Sequence, residues 1–260
     1  MDLNNSNLSE QDRIQVKKIV SMIEYELDSK LISLYLFGSA VDEGLKVNSD
    51  LDFLAITKST IPNRKRGLIT KQLMNNSREI GTTDKIRYVE LTSVVLEDLH
   101  PWKHPITQDF IYGEWLREEY QLGEYSQRLI NPDLTILLYQ IQKQGILLIG
   151  KDKQLPNVPF SDVKLAISDQ LDILVTELDG DKSNVILTLC RMLYTLKTQE
   201  FISKNKAANY VVENFSTIET KVILAALDEY LTGKSMNLMS TRVKSTVHQL
   251  IQQIKIEIGV

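Results

Sequence analysis

The chain has 260 residues, enough for one large domain or two small ones, and its 43% apolar and 25% charged content is that of a folded rather than a disordered protein. A formal net charge of −4 argues against a broad phosphate-neutralising face, so a nucleic-acid partner is disfavoured and a small cationic substrate fits better. A single cysteine, Cys190, excludes an intrachain disulfide framework and a cysteine-rich zinc site, and no run reaches the roughly 20 apolar residues of a membrane span.

The polar N-terminus (MDLNNSNLSEQDR) reads as no signal peptide, which places the expected chain in a reducing cytoplasm. Ser9 with Asp12 resembles a capping box, and Ile14, Ile19, Val20, Ile23 and Leu27 form a helical apolar stripe behind it. Ile32 to Phe37 is a β-rich run that stops at Gly38-Ser39, and Leu51 to Thr57 is a second one. Pro62-Asn63 punctuates the start of a basic helix-like stretch through Arg78, and Ile86 to Leu91 is a third strand candidate. Trp102 between Pro101 and Pro105 marks a loop that also carries His100 and His104, read as loop residues and not zinc ligands. Phe110 to Tyr120 reads as a short helix bearing Trp115, and Pro132 and Gly145 bracket a helix from Asp133 to Gln144 ahead of a short strand, Ile146 to Ile149.

Composition shifts at Gly150 to Pro159, a polar, proline-containing linker candidate. Beyond it strand signals end. Ser161 to Leu178, Asn184 to Thr198, Ser203 to Asn214, Thr217 to Leu231 and Ser240 to Ile256 all carry helical spacing, with Cys190 a buried, inert thiol on one of them. The expected architecture is an α/β domain over residues 1–157, a small mixed sheet flanked by helices, followed by an all-α helical bundle over 158–260.

Chemistry concentrates at the turn between the first two strands. Asp50 and Asp52, eleven and thirteen positions after Ser39, alternate onto one strand face, where their hard oxygens suit Mg²⁺. Two metal ions on the order of 4 Å apart need a third carboxylate, and Glu90 is the candidate, with an exposed position on an edge strand as its plainer alternative. Gly38 lets backbone approach a phosphate, and Ser39 offers a hydroxyl. The compound pattern reads as a nucleotidyl-transfer centre.

Gly38-Ser39 with Asp50-Leu51-Asp52 is similar to the polymerase-β-like nucleotidyltransferase superfamily. Over both halves, YLFGSAV (Tyr35 to Val41), NSDLD (Asn48 to Asp52), VELT (Val89 to Thr92), YGEWLR (Tyr112 to Arg117) and GDKSNVILTLCRM (Gly180 to Met192) make the chain resemble the bacterial aminoglycoside (3″)(9)-O-adenylyltransferases.

That resemblance implies an N-terminal nucleotidyltransferase domain and a C-terminal helical domain that completes the nucleotide and drug sites. It implies ATP as co-substrate and Mg²⁺, two ions, held by Asp50, Asp52 and Glu90, with Glu90 also the catalytic base. Ser39, Arg191 and Lys204 match triphosphate contacts; by pattern alone the two cations are helix-surface residues. Trp115, Asp181 and Asn184 match drug contacts, although Trp115 also suits a core or inter-domain position and Asp181 a helix N-cap. Members that modify both spectinomycin and streptomycin carry a tryptophan and an aspartate shortly before the Gly-Asp motif. Here Asp172 to Gly180 holds no tryptophan, so spectinomycin is the implied acceptor and streptomycin stays open. The remaining alternatives are transfer to another small molecule or to a protein, and a non-catalytic binding module. A cytoplasmic monomer with no nucleic-acid or membrane partner completes the expectation.

Overall fold

Ser9 opens the first helix, α1 (Glu10–Leu27), by accepting the Asp12 backbone N–H at 3.1 Å, which satisfies one of the donors a helix start leaves bare. The structure is a computed structural model that describes every residue except 1, 2, 4–7, 43, 47, 48, 83, 84, 152, 153, 236–238 and 260. Asn48 of the NSDLD run, and two residues of the expected linker, therefore lie outside the described residues. The buried stripe of α1 is Val16, Ile19, Val20, Ile23 and Leu27. Ile14, expected in that stripe, is instead 61% exposed, because it falls on the opposite side of the helix from Val16 and Ile23.

The chain divides into two compact units, Met1–Val158 and Pro159–Val260. The first is built on a five-stranded sheet of β1 (Leu31–Phe37), β2 (Leu51–Thr57), β3 (Val89–Val95), β5 (Phe110–Tyr112) and β7 (Ile146–Ile149) in the order β5-β3-β2-β1-β7. Among the described strands only β2 and β3 run parallel, joined through α2 (Asn63–Met74). A second sheet pairs β4 (Ile106–Gln108) with β6 (Leu129–Asn131), and the unit also holds the α-helices α3 (Leu96–Leu99), α4 (Arg117–Gln121) and α5 (Asp133–Gln144). Its core sets Val16, Ile19 and Ile23 of α1 and Ile69 and Leu73 of α2 against Leu34, Leu36, Phe53, Ala55 and Leu91 of the sheet. Each fully buried aliphatic chain there contributes about 1.5–3 kcal/mol relative to exposure.

Several elements of the first unit differ from the sequence reading: α2 ends at Met74, four residues short of Arg78, where the Asn75 N–H caps it on the Lys71 carbonyl. β3 starts three residues later than expected, because the backbone of Arg87 is taken by Gln15 (N to Oε1, 2.8 Å) and by Arg78 (N–H to the Arg87 carbonyl, 3.1 Å). Phe110 to Tyr112 is a strand, not the start of a helix: it pairs with Leu91 to Ser93, and Gly113 ends it before α4 begins. Asp109 secures the approach to that strand through a buried ion pair with Arg66 at 2.9 Å, while its backbone N–H bonds Ser93.

Arg87 also donates to Asp12 (Nε to Oδ1, 2.8 Å) and to the Lys46 carbonyl, tying the loop before β2 and the approach to β3 to α1. Burial raises the Asp12 carboxyl, but the Arg87 guanidinium and the Ser9 hydroxyl outweigh that effect and hold it below its ordinary value. A depressed carboxyl adds stability above its unfolded pKa of about 3.9 and loses it as pH falls through the lower folded value. Asp12→Asn should therefore lower the melting temperature near neutrality, with the gap to the parent closing as thermal unfolding is followed down to about pH 3. A gap independent of pH would exclude this linkage.

The described residues of the second unit form five helices: α6 (Phe160–Glu177), α7 (Lys182–Thr198), α8 (Lys204–Asn214), α9 (Thr220–Thr232) and α10 (Ser240–Ile258). α7 packs against the other four, burying Val185, Ile186, Leu187, Leu189, Cys190, Met192, Leu193 and Leu196. Burial pushes the Cys190 thiol up to about 12, so it is an inert core group. What α7 leaves partly open is a stripe of hydrogen-bonding side chains at helical spacing: Asn184, Thr188, Arg191, Tyr194 and Thr198. No described helix is long and apolar enough to cross a membrane.

Candidate active site

One end of the five-stranded sheet collects the chemistry of the first unit. The end of β1 meets the start of β2, and the start of β3 meets the end of β5, because β1 and β5 run against the parallel pair β2 and β3. Asp52 pairs in register with Phe37 on one side and Glu90 on the other, and laterally paired residues project to the same face. Asp50, two residues before Asp52, joins them. Ligand oxygens of Asp50, Asp52 and Glu90 all lie within 4.8 Å of one another, the one such group of three or more metal-ligating side chains among the described residues. Glu90 sits on an interior strand of the sheet, so its alternative as an edge residue fails.

Gly38 follows β1 with φ +69°, the left-handed region that favours glycine. A Cβ at that position would stand 1.9 Å from Asp52 Oδ2, inside any allowed contact. Glycine thus serves twice, allowing the turn and leaving room for the carboxylate. Ser39 lies in the 3-10 turn Gly38–Ala40 that follows. Three half-exposed carboxylates this close repel one another, and an all-oxygen donor set of this kind suits a hard divalent cation such as Mg²⁺.

Trp115 reaches the same end of the sheet from β5. Continuing the Leu91–Tyr112 register by one residue sets Gly113 beside Glu90. A Cβ on Gly113 would meet the Trp115 ring at 2.2 Å, so the indole lies over Gly113 on the face shared by Glu90. Gly113 has an extended backbone (φ −155°), which any residue adopts; what it supplies is space for the ring. Trp115 is 54% exposed, which removes the core alternative. The Tyr120 phenol is pushed up mainly by burial, against the lowering effect of its bond to the Gly113 N–H, with smaller upward contributions from Glu119, Glu114 and, last, Glu90.

In the second unit Asp181 is the N-cap of α7, accepting the Asn184 N–H at 3.2 Å, so the capping alternative is correct and leaves its second oxygen for other work. Lys204, the first residue of α8, donates to Asn184 Oδ1 and sits 5.8 Å from the Tyr230 ring centre. Arg191 lies seven residues after Asn184, two turns along the open stripe of α7. Tyr230 and Gly113 escaped the sequence reading: only tertiary packing brings Tyr230 of α9 to Lys204, whereas the Gly-Glu-Trp order was a visible signal. His104 bonds Thr135 at 2.7 Å and His100 the Gln154 carbonyl at 3.2 Å, in keeping with loop roles.

Comparison with known proteins decides the family. A family model described as "Aminoglycoside adenylyltransferase, C-terminal domain" matches residues 153–253. A spectinomycin 9-adenylyltransferase of Enterococcus faecalis is 37% identical over 244 residues, 93% of this chain and 95% of its own. The chain belongs to the aminoglycoside adenylyltransferase family. A second aminoglycoside adenylyltransferase, the (3″)(9) enzyme of Escherichia coli, is 31% identical over 248 residues, 94% of each chain. The crystal structure of the spectinomycin adenyltransferase AAD(9) from Enterococcus faecalis with ATP and spectinomycin shares the fold at a TM-score of 0.87 and 37% identity, over 94% of this chain and 99% of that one.

Proposed function

We propose that the chain transfers AMP from ATP to the 9-hydroxyl of spectinomycin, and so confers resistance to it. One observation carries the reading: the Asp50, Asp52 and Glu90 cluster, set against Gly38, in a chain this similar to a spectinomycin adenyltransferase solved with ATP and the drug. Asp50, Asp52 and Glu90 would hold Mg²⁺, two ions. Bound there, Mg²⁺ would supply Lewis-acid polarisation of the α-phosphate and neutralise the departing pyrophosphate.

The drug oxygen attacks the α-phosphorus, the bond to the bridging β-phosphate oxygen breaks, and Glu90 takes the hydroxyl proton as general base. Gly38 and the Ser39 hydroxyl receive the triphosphate, and Arg191 and Lys204 balance its charge. The Trp115 indole stacks on the protonated aminocyclitol, Asp181 accepts its ammonium protons, and the Asn184 amide donates to a drug oxygen. Both units, close to 1–157 and 158–260, thereby serve one reaction. The run Asp172 to Gly180 offers no aromatic surface for the larger streptomycin, so spectinomycin is the preferred acceptor. The enzyme works as a monomer in the bacterial cytoplasm, with no nucleic-acid or membrane partner.

Purified protein with ATP, Mg²⁺ and spectinomycin should release pyrophosphate and give a drug product heavier by one adenylyl group. Streptomycin in parallel should give far less. Release with neither drug would sink the proposal and favour another acceptor or a binding role.

A further inference from the structure

Neighbouring residues in the turn after β5 have opposite fates: Trp115 is 54% exposed while Glu114 is only 6% exposed. A carboxylate withdrawn from water needs strong partners, and Glu114 has three contacts. Arg117 approaches it with two nitrogens, Nε to Oε2 at 2.6 Å and Nη2 to Oε1 at 3.1 Å, and the Tyr112 hydroxyl donates to Oε1. Arg117 in turn donates to the Met74 carbonyl at 3.2 Å, anchoring the pair to the end of α2. The strand side is held as firmly: Tyr112 stacks on Tyr120 with ring centres 5.3 Å apart. The Tyr120 hydroxyl bonds the Gly113 N–H at 3.3 Å and the Ile111 carbonyl at 3.2 Å.

Trp115 therefore stands between residues that are fixed on both sides, and its own ring rests on Gly113. An exposed indole on a free turn would sample several rotamers, and ordering it on a ligand would cost affinity. We propose that Glu114, through its two-nitrogen grip on Arg117, is a positioning residue that pre-orients the Trp115 indole beside Glu90 to receive the drug. This rests on the reading of Trp115 as a drug contact.

The test uses the full chain in a Trp102→Phe background, where Trp115 is the one tryptophan left of two. Time-resolved anisotropy then reports the freedom of that ring alone. Glu114→Gln and Arg117→Lys are each expected to raise the rapidly depolarised fraction severalfold and the spectinomycin KM about tenfold, with the ATP KM within about twofold. Their effects should be less than additive in the double variant, since both break one grip. Arg117→Lys keeps the charge and serves as the second variant should Glu114→Gln fail to fold. Unchanged anisotropy, or an unchanged drug KM, in variants that fold as the parent does would overturn the positioning role. Trp115→Ala separates the two ideas. If it leaves the drug KM unaltered, the drug-contact reading falls and this proposal with it; if it raises the KM while the Glu114 and Arg117 variants do not, only the positioning falls.

Discussion

Glu90→Gln should lower the rate of spectinomycin adenylylation by about 10³-fold, within the range general-base catalysis contributes. Glutamine matches the shape of the side chain but neither takes a proton nor carries the charge that completes the cluster with Asp50 and Asp52. Glu90 is half-exposed at the start of an interior strand, so the fold should survive with a change of within about 0.5 kcal/mol. Nucleotide binding should persist in part, because Asp50, Asp52 and the cations remain. The measurement is drug-dependent pyrophosphate release beside a thermal melt. A well-folded variant that keeps activity within about tenfold of the parent would rule Glu90 out as the base.

Gly38→Ala is the second large effect, and it separates strain from collision. At φ +69° alanine pays the left-handed penalty, on the order of 1–2 kcal/mol. Its Cβ would also stand 1.9 Å from Asp52 Oδ2 and 2.9 Å from its Cγ, so that carboxylate must leave its place. A displacement of about 1 Å near reacting groups costs roughly 10²-fold in rate, and here the displaced group is a proposed metal ligand. Gly81→Ala is the matched control: φ is +86°, yet among the described residues nothing lies within 4 Å of the added Cβ. It should lower the melting temperature modestly and leave the rate alone. Equal activity losses in both variants would mean that backbone strain, not the Asp52 contact, explains the Gly38 requirement.

Much of this was legible because it is local. β2, α5 and β7 begin and end where their residue patterns place them, since alternation, Pro132 and Gly145 are signals carried by adjacent residues. The same holds for Asp50 and Asp52, two residues apart on one strand. Glu90 was harder: VELTSVV carries Thr92 and Ser93 in its middle, both buried, so the strand does not look apolar enough until its pairing with β2 is known. β4 and β6 are three residues each, too short for any alternation to show, and Phe110 to Tyr112 follows its pairing with β3 rather than its own pattern. Lys204 and Asn184 are 20 residues apart and meet only because α7 and α8 pack. Side-chain contacts across elements, such as the indole over Gly113, have no counterpart in periodicity.

Asp52 and Glu90 face each other across one rung of a parallel ladder, although the chain between them runs through α2 and an open turn at Gly81. Their separation is thus set by strand spacing, close to 4.8 Å, and not by the length of that connection. A change in the length of that connection near Gly81 is expected to leave the distance between the two carboxylates unaltered. A reporter peptide or a ligand-responsive domain could be spliced there with the catalytic spacing left intact.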